Sequence, residues 1–530
     1  MLSNKLPLIL CLVFCSLPAV LMRDLSTVNE LNYVAIAVAA LKHGNLFVMG
    51  GPEFAFPYLP PLYLWLCMLA YSLAGEYAGT LLLSVNVIAI VGILLIVCHY
   101  FARSLSKTGL NAAMMAIPSL PFLISAAFIV SPYLINAFFI IFSCALLCRR
   151  CSLVLGEPDN SKKRRQDLLI PLCMLFACMT CGPLGLCLAP LVLLTVLIIK
   201  GGLRQWTAIF PWFFWLVLFG GLVIWYFLSC FFSGIENTNT LFFETTLAYF
   251  QGDQGHVCSP WFYIWTYALI SLPLGIAATY AGFRIFKHEG RESEPEFLFS
   301  FLIIPISLIL ASLFSAKSGY YVLCALPTLG CVLGKYLQVT GSRDRFLKLL
   351  LILGMLPFSG LFAVAYFLNE DFPLLNGTYV VCAFLFILLS TLLSVIRVMN
   401  SSALNGVATF GGGVLVMILT LGFAVPHLNP FISPLPAVYK ARALAENSKT
   451  RRLCVIGIQK PWTLQLTAGS LAIIPVDHDK MQGKKCLNSY RLIGRSALNE
   501  YKDLQDLKRS EGAFLFGDCS FHREVPPFDK

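Results

Sequence analysis

Apolar runs long enough to cross a bilayer recur along most of this chain. A spanning helix needs about 20 apolar residues, because the hydrocarbon core is about 30 Å thick and each helical residue rises about 1.5 Å. Such runs follow one another along most of the 530 residues. They are 6–22, 62–75, 78–101, 111–129, 132–148, 168–179 with 183–199, 207–230, 260–284, 296–315, 320–337, 347–368, 377–397 and 404–424. The sequence therefore predicts an all-α polytopic membrane bundle.

The composition excludes a soluble protein and argues against nucleic-acid binding. Only 12% of the residues are charged and 58% are hydrophobic, whereas a soluble domain carries roughly 25% charged residues. The net charge is +11, but the basic residues stand in short loops such as Lys162-Lys-Arg-Arg165. Basic residues in such loops orient a membrane protein, whereas a nucleic-acid site needs a folded basic surface. We therefore expect membrane lipids, and no nucleic acid, as partners.

The charged loops predict which ends of the helices share a side of the membrane. We expect the basic or strongly charged loops in the cytoplasm. They are 102–109, 149–166, 200–206, 285–295 and 338–347. The loops 231–259 and 369–376, and everything after residue 425, then lie outside. This pattern is typical of a multi-pass protein of the cell inner membrane.

The number of crossings before residue 110 stays open. The run 6–22 resembles a signal peptide, but Arg23-Asp24 follows it in place of small residues, which indicates a retained first helix. If 23–61 lies outside and 102–109 inside, an odd number of crossings must separate them, yet two apolar segments lie between. Either 62–75 is too short to cross, or loop 102–109 lies outside. The first alternative gives about 13 spanning helices, since a span needs about 20 residues.

Three regions lie outside the helix bundle. Residues 23–61 and 231–259 form long external loops. Within the first loop, Leu31 to Leu41 place apolar side chains at helical spacing, which predicts a short helix on the membrane surface. Residues 430–530 form a polar tail. We therefore expect a membrane domain over 1–429 and a C-terminal extracytoplasmic, periplasmic domain over 430–530.

The tail has the pattern of a small α/β domain. Its strand-like runs are 452–458, 471–475 and 512–517. It also carries Cys454, Cys486 and Cys519. An extracytoplasmic compartment permits disulfides, so two of these thiols could pair, but three cannot all do so. The sequence leaves open which two.

Four short motifs follow the first span in a fixed order. They are Asn29-Glu30-x-x-Tyr33, Ile36-Ala37, Leu41-x-x-Gly44 and Pro60-Pro61-Leu62-x-x-Trp65. This order resembles the polyprenyl-phosphate-sugar glycosyltransferases of the GT-C fold, specifically the lipid A aminoarabinose transferase and protein O-mannosyltransferase-like group. Two later stretches agree, His256-Val-Cys-Ser-Pro-Trp-Phe-Tyr263 and Lys317-Ser-Gly-Tyr-Tyr321.

The resemblance implies a GT-C-like membrane enzyme that takes its sugar from an isoprenoid-phosphate donor. The acceptor would be a lipid such as lipid A, a glycan or a protein, on the extracytoplasmic face. No cofactor is implied. A divalent metal stays open, although the sequence shows no cluster of His and carboxylates at ligand spacing.

Sugar transfer needs a base for the acceptor oxygen and cations for the phosphate of the leaving group. The resemblance makes Asp24 the first candidate base and Glu30 the second. The candidate donor-binding residues are Arg23, Lys317, Tyr321, His256 and Tyr33. Two plainer interpretations stay open. Asp24 could pair with Arg23 at a helix end, and Lys317 could be a lysine that extends from a helix end toward water.

The chain departs from the family pattern at two positions. Asn29 stands where the family has its catalytic Asp, and an amide cannot accept a proton at neutral pH. Leu59 stands where the family has a Lys before Pro-Pro, which removes a positive charge. A non-catalytic or repurposed member is therefore a second hypothesis. A transporter or flippase of lipid-linked sugars is a third, although the break at Cys181-Gly-Pro183 has no counterpart in the second half, as a repeated transporter would have.

Overall fold

The computed structural model describes most of the membrane part and short pieces of the tail. The described residues are 5–25, 27–48, 60–155, 164–244, 247, 259, 261–315, 317–341, 344–367, 377–446, 452–456, 463–464, 471–475, 490–494, 515–516 and 519–523. Leu59, His256 and Cys486 lie outside these ranges.

The membrane part is helical almost throughout, as predicted, because in lipid a helix satisfies its own backbone hydrogen bonds. The helices are α1 (Leu6–Met22), α2 (Thr27–His43), α3 (Pro61–Ala74), α4 (Ala78–Ile96), α5 (Lys107–Ala116), α6 (Pro121–Ser125), α7 (Tyr133–Leu155), α8 (Arg164–Cys181), α9 (Leu184–Lys200), α10 (Trp206–Ile209), α11 (Trp212–Ser233), α12 (Ile235–Asn239), α13 (Phe262–Ile270), α14 (Gly275–Glu289), α15 (Pro295–Leu313), α16 (Leu329–Thr340), α17 (Arg345–Phe367), α18 (Thr378–Asn400), α19 (Ala403–Ile432) and α20 (Leu435–Glu446). A 3-10 helix, Gly319–Thr328, leads into α16.

Seven helical stretches in the described ranges are long and apolar enough to cross a membrane, and two bent pairs raise the number to nine. One bent pair begins at α5 and has an angle of 54°, and the other joins α13 to α14 at 104°. Helices α1, α8 and α9 are apolar but shorter, and α17 has 23 residues. The seven stretches, the two bent pairs and these four helices together give thirteen spans if each crosses the membrane once. This number equals the predicted one.

Helix α3 does not cross the bundle. It has 14 residues, a length of about 21 Å, and it ends at Gly75, whose φ of 54° favours glycine. Near its start, the rings of Tyr63 and Tyr33 on α2 meet edge-on. Just after its end, Glu76 pairs with Arg442 of α20 at 2.7 Å. Helix α2 follows the end of α1, and α20 follows the end of α19, which is hydrogen-bonded to the end of α1. Because one end of α3 contacts α2 and the other contacts α20, both ends of α3 lie on the same side of the membrane. The alternative with 13 spans is therefore supported.

The loops predicted to share the cytoplasmic side contact one another. The backbone N–H of Ser106 donates to the side-chain oxygen of Gln338 at 2.9 Å. The guanidinium of Arg150, in the predicted loop 149–166, donates to the carbonyl oxygen of Ala208 in α10, which follows loop 200–206, at 2.7 Å. These contacts join loops that are far apart in sequence at one end of the bundle, opposite the end of α1.

Helices α1 and α19 lie in direct backbone contact. A Cβ atom built on Gly422 would lie 2.8 Å from the backbone nitrogen of Ala19 and 2.9 Å from Cβ of Pro18. Glycine allows two helices to approach this closely in a membrane. The contact fixes how α19 is aligned along α1.

The tail forms a five-stranded sheet, and its predicted α/β character is confirmed. The strands are β1 (Arg452–Ile456), β2 (Ala472–Pro475), β3 (Tyr490–Gly494), β4 (Leu515–Phe516) and β5 (Cys519–Arg523). Their order is β2-β1-β3-β5-β4. Strand β1 runs parallel to β2 and β3, whereas β5 is antiparallel to β3 and β4. Cys454 in β1 is disulfide-bonded.

Candidate functional site

Arg23 and Glu30 form a bidentate ion pair where α1 ends and α2 begins. Nη1 of Arg23 donates to Oε1 of Glu30 at 3.0 Å, and Nη2 donates to Oε2 at 2.9 Å. Nη1 also donates to the carbonyl oxygen of Phe128, and the backbone N–H of Val130 donates to Oε1 of Glu30 at 2.8 Å. The exposed fractions of the two side chains are 12% and 3%. The pair therefore ties α1 and α2 to the segment between α6 and α7.

These contacts give the two candidate bases different surroundings. Both oxygens of Glu30 accept hydrogen bonds inside the protein, so its carboxylate is suited to holding Arg23. Asp24 is only half-buried. Burial raises the pKa of Asp24, and the positive charge of Arg23 partly opposes the rise. A carboxylate with a raised pKa and some exposure is better suited to accept a proton from a substrate.

Helix α20 brings a tyrosine close to Asp24. Its Tyr439 lies close enough to Asp24 and Glu76 to interact with both charges. Burial, assisted by those two carboxylates, raises the pKa of Tyr439 to about 12. The Tyr439 hydroxyl therefore stays protonated at neutral pH and can act as a hydrogen-bond donor beside these carboxylates.

Lys317 lies at the end of α15. Its ammonium donates to the carbonyl oxygen of Ser312 at 2.8 Å and to the carbonyl oxygen of Phe314. It also lies 5.5 Å from the centre of the Tyr263 ring. The last carbonyls of a helix have no partner within the helix and attract a cation. These two hydrogen bonds agree with the interpretation of Lys317 as a lysine at a helix end. They also hold its positive charge in a fixed position.

A stack of aromatic rings joins the Lys317 segment to the Arg23–Glu30 pair. The rings of Phe122 and Tyr320 are 5.5 Å apart, and those of Tyr320 and Tyr133 are 5.1 Å apart and nearly parallel. Tyr321 meets Tyr133 edge-on at 5.8 Å. Tyr320 also lies close enough to Glu30 for an electrostatic interaction. Tyr320, three residues after Lys317, thus connects that segment to the carboxylate of Glu30.

An apolar cavity of about 570 Å³ lies beside Arg23. Residues of α1, α6, α13, α17 and α19 line it. Arg23 is the one charged residue in this lining as far as the chain is described. Helix α19 contributes one face from Met417 to Leu428, a length of about 16 Å. The cavity thus runs from the guanidinium along the apolar side chains of these helices.

Of the predicted site residues that the structure describes, Arg23 alone lines this cavity, and the others lie apart from it. Tyr33 is buried between α2 and α3, with its ring 5.3 Å from that of Tyr63. Asn29 lies in the first turn of α2, and His256 falls outside the described ranges. Among the described residues, no group of three or more His, Cys, Asp or Glu side chains is arranged to hold a metal ion.

The sequence matches no protein-family profile and no curated protein. The structure, in contrast, is similar over nearly its whole length to ArnT from Cupriavidus metallidurans bound to undecaprenyl phosphate. The TM-score is 0.73 with 15% identity, and the match covers 99% of this chain and 98% of that chain. The chain has the GT-C fold. The apo state of the same ArnT matches with a TM-score of 0.70 and 15% identity, over 98% of this chain and 97% of that chain.

An archaeal oligosaccharyltransferase is a more distant match to this GT-C chain. It is AglB from Archaeoglobus fulgidus, in complex with an inhibitory peptide and a dolichol-phosphate. Its TM-score is 0.45 with 13% identity, over 92% of this chain and 69% of that chain.

Several residues of the candidate site could not be identified from the sequence. Phe128 and Val130 contribute only backbone atoms, so their side chains carry no signal. Phe122 belongs to an apolar run in which nothing distinguishes it from its neighbours. Tyr320 stands beside Tyr321 in the Lys317 motif, which is the one signal that could have indicated it.

Proposed function

We propose that this chain is a membrane glycosyltransferase that moves a sugar from a polyprenyl-phosphate donor to a lipid A, glycan or protein acceptor. The observation that carries the proposal is the apolar cavity beside Arg23, the residue that directly precedes Asp24 in the chain. A polyprenyl phosphate has a long apolar tail and an anionic head. The apolar lining suits the tail, and a guanidinium held in place by Glu30 suits the phosphate.

The comparison with ArnT supports this donor class. The ArnT crystal structure contains undecaprenyl phosphate, and its fold extends over 99% of this chain. Shared fold alone does not define an activity. The combination of that fold with a carboxylate and two fixed cations, Arg23 and Lys317, is what favours a transferase here.

The proposed step needs three groups of this chain. The acceptor oxygen attacks the anomeric carbon of the donor, and the bond from that carbon to the phosphate oxygen breaks. The electron pair of that bond leaves with the polyprenyl phosphate, and the acceptor proton passes to the carboxylate of Asp24. Arg23 and Lys317 stabilise the charge on the leaving phosphate. Tyr321 would donate a hydrogen bond beside Lys317, and His256 and Tyr33 remain proposed donor-binding residues.

We further propose that the reaction takes place on the extracytoplasmic side of the cell inner membrane. Residues 430–530 would form a separate domain on that side. The disulfide at Cys454 supports this orientation, since disulfides persist in oxidising compartments. The basic loops at the opposite end of the bundle agree with a cytoplasmic location.

A direct assay tests the proposed function. The purified full chain in lipid nanodiscs would be given undecaprenyl phosphate carrying a sugar, together with lipid A, glycan or peptide acceptors. We expect a mass increase of one sugar on one acceptor class, and loss of this product with Asp24→Asn. Binding of undecaprenyl phosphate without transfer to any acceptor would instead support the non-catalytic alternative, which Asn29 in the family's acidic position favours.

A further inference from the structure

The side-chain amide of Asn429 bridges two backbone groups on either side of Arg23. Nδ2 of Asn429 donates to the carbonyl oxygen of Met22 at 2.8 Å. The backbone N–H of Asp24 donates to Oδ1 of Asn429 at 3.2 Å. Asn429 is separated from this segment by more than 400 residues in sequence, so the contact depends on tertiary structure. One amide thus fixes the backbone immediately before and after the guanidinium.

This bridge replaces hydrogen bonds that the end of a helix lacks. Met22 is the last residue of α1, and the last carbonyls of a helix have no partner within it. An amide offers both a donor and an acceptor, so it can satisfy a terminal carbonyl and the next N–H together. Asn429 is 8% exposed, which shields both hydrogen bonds from water.

Two further contacts hold the same segment from the same helix region. The hydroxyl of Ser433 donates to the carbonyl oxygen of Leu25 at 2.7 Å. Seven residues before Asn429, Gly422 is packed against the backbone of α1. Seven residues make about two helical turns, so the close contact at Gly422 sets the height at which Asn429 meets the end of α1.

We propose that Asn429 is a positioning residue for sugar transfer, which sets the backbone of residues 22–25 and thereby the directions of Arg23 and Asp24. The inference rests on the proposed function and adds to it a residue from the last spanning helix. Asn429 lies near the C-terminal end of the membrane domain in sequence, so its hydrogen bonds to Met22 and Asp24 require α19 to be packed in register with α1. Among the described residues, Arg23 and Tyr439 interact electrostatically with Asp24, and Tyr439 in turn interacts with Glu76 and Arg442.

Two variants separate positioning from a general loss of structure. Asn429→Leu removes both hydrogen bonds at similar volume, and we expect kcat to fall about a hundredfold, because small displacements of catalytic groups have effects of this size. Asn429→Asp keeps the acceptor for the N–H of Asp24 but places a second carboxylate beside it. Like charges raise a carboxyl pKa, so we expect the acid limb of the rate profile to move to higher pH. Asn405→Leu, at an exposed position of the same helix, is the control. It should leave kcat and the pH profile unchanged.

The outcomes distinguish this inference from the proposed function. If the wild type transfers sugar while Asn429→Leu keeps its kcat, or Asn429→Asp keeps the wild-type pH profile, the positioning role is overturned and the enzyme assignment stands. If the wild type transfers no sugar, the thiol introduced by Asp24→Cys provides the test. Its maleimide labelling should slow when Asn429→Asp is added, because the nearby carboxylate disfavours the thiolate. Unchanged labelling would overturn the positioning role. If Asn429→Leu does not fold, Asn429→Asp tests the positioning role instead, through the pH profile of transfer or through maleimide labelling.

Discussion

The guanidinium of Arg23 reaches both oxygens of the Glu30 carboxylate across the turn that joins α1 to α2. Glu30 is seven positions after Arg23 in the chain. Arg23 follows the last residue of α1, whereas Glu30 lies in α2. The pair therefore fixes where α2 lies relative to α1. A buried ion pair adds little net stability compared with apolar residues, but removing one partner leaves a buried charge without compensation.

Replacing Glu30 by Leu should strongly destabilise the protein. With Glu30 3% exposed and Arg23 12% exposed, we expect the free energy of unfolding to fall by about 3–5 kcal/mol, the usual cost of breaking a buried pair from one side. The double variant Arg23→Met with Glu30→Leu should recover part of this loss, because no charge remains buried. Unfolding in detergent, followed by tryptophan fluorescence, measures both effects.

The ion pair between Glu76 and Arg442 provides a matched control. Its N–O distance is 2.7 Å, but its side chains are 45% and 35% exposed. Solvent screens such a pair, so Glu76→Leu should cost about 0–1 kcal/mol. If Glu30→Leu cost no more than Glu76→Leu, the buried pair would not organise the turn between α1 and α2.

Asp24→Asn should abolish transfer without lowering stability. Burial raises the pKa of Asp24 in the folded protein, so ionisation of Asp24 opposes folding. The raised pKa means that protonated Asp24 stabilises the folded protein. This contribution to the free energy of unfolding is fully present below the pKa of Asp24 in the unfolded chain and is lost as the pH rises through its pKa in the folded protein. At neutral pH, an uncharged amide therefore removes an unfavourable charge, and we expect an unchanged or higher melting temperature.

Product yield and thermal unfolding of the same preparation check this prediction. Glu76→Gln is the control, since Glu76 lies on the same side of the bundle and also carries a carboxylate. It should retain transfer. Full activity in Asp24→Asn would exclude Asp24 as the base.

The pH dependence of the wild type should show the same raised pKa. The base must be ionised, so the rate should fall as the pH drops through the folded pKa of Asp24. We expect that fall above the ordinary pKa of an aspartate, about 3.9, because burial raises the pKa. A rate profile under donor saturation measures the midpoint. A midpoint below the ordinary value would contradict the burial of the acting carboxylate.

The sequence predicted the membrane bundle well because apolar length is a direct consequence of bilayer thickness. The order of motifs after the first span also predicted the GT-C fold, which is confirmed. The position of α3 required contacts at both of its ends, because 14 apolar residues are compatible with a buried helix or a partial crossing. Strands β3 and β5 were not predicted, because Arg491 and His522 interrupt their apolar patterns.

The site was less predictable than the fold. Arg23, Glu30 and Lys317 carry charge in an apolar sequence, so each could be singled out. Their partners could not, because the carbonyl of Phe128 and the amide of Asn429 are selected by tertiary contact. Residue type alone also could not distinguish the enclosed carboxylate of Glu30 from the more exposed one of Asp24. That difference follows from the bidentate contact with Arg23 and the N–H of Val130.

Lys317→Met should weaken donor binding and slightly destabilise the end of α15. The ammonium satisfies the carbonyl oxygens of Ser312 and Phe314, and loss of such hydrogen bonds costs about 1 kcal/mol. If the charge also attracts the donor phosphate, the Kd for undecaprenyl phosphate should rise. Lys348→Met is the control, because Lys348 donates to the carbonyl oxygen of Met399 at the opposite end of the bundle. Equal affinities in the two variants would leave Lys317 with a role at the helix end alone.

Leu421→Trp should block the cavity from the α19 side. Leu421 lines the cavity of about 570 Å³, and an indole in place of its side chain would fill part of the volume that the proposed donor's polyprenyl tail would occupy. We expect a higher KM for a long-chain donor and a smaller change for a short-chain analogue, because the short tail leaves the deeper part empty. Phe423→Trp, at an exposed position two residues further along, should change neither value. Equal KM changes for both donors would mean that the tail binds elsewhere, and the cavity would then have no part in donor recognition.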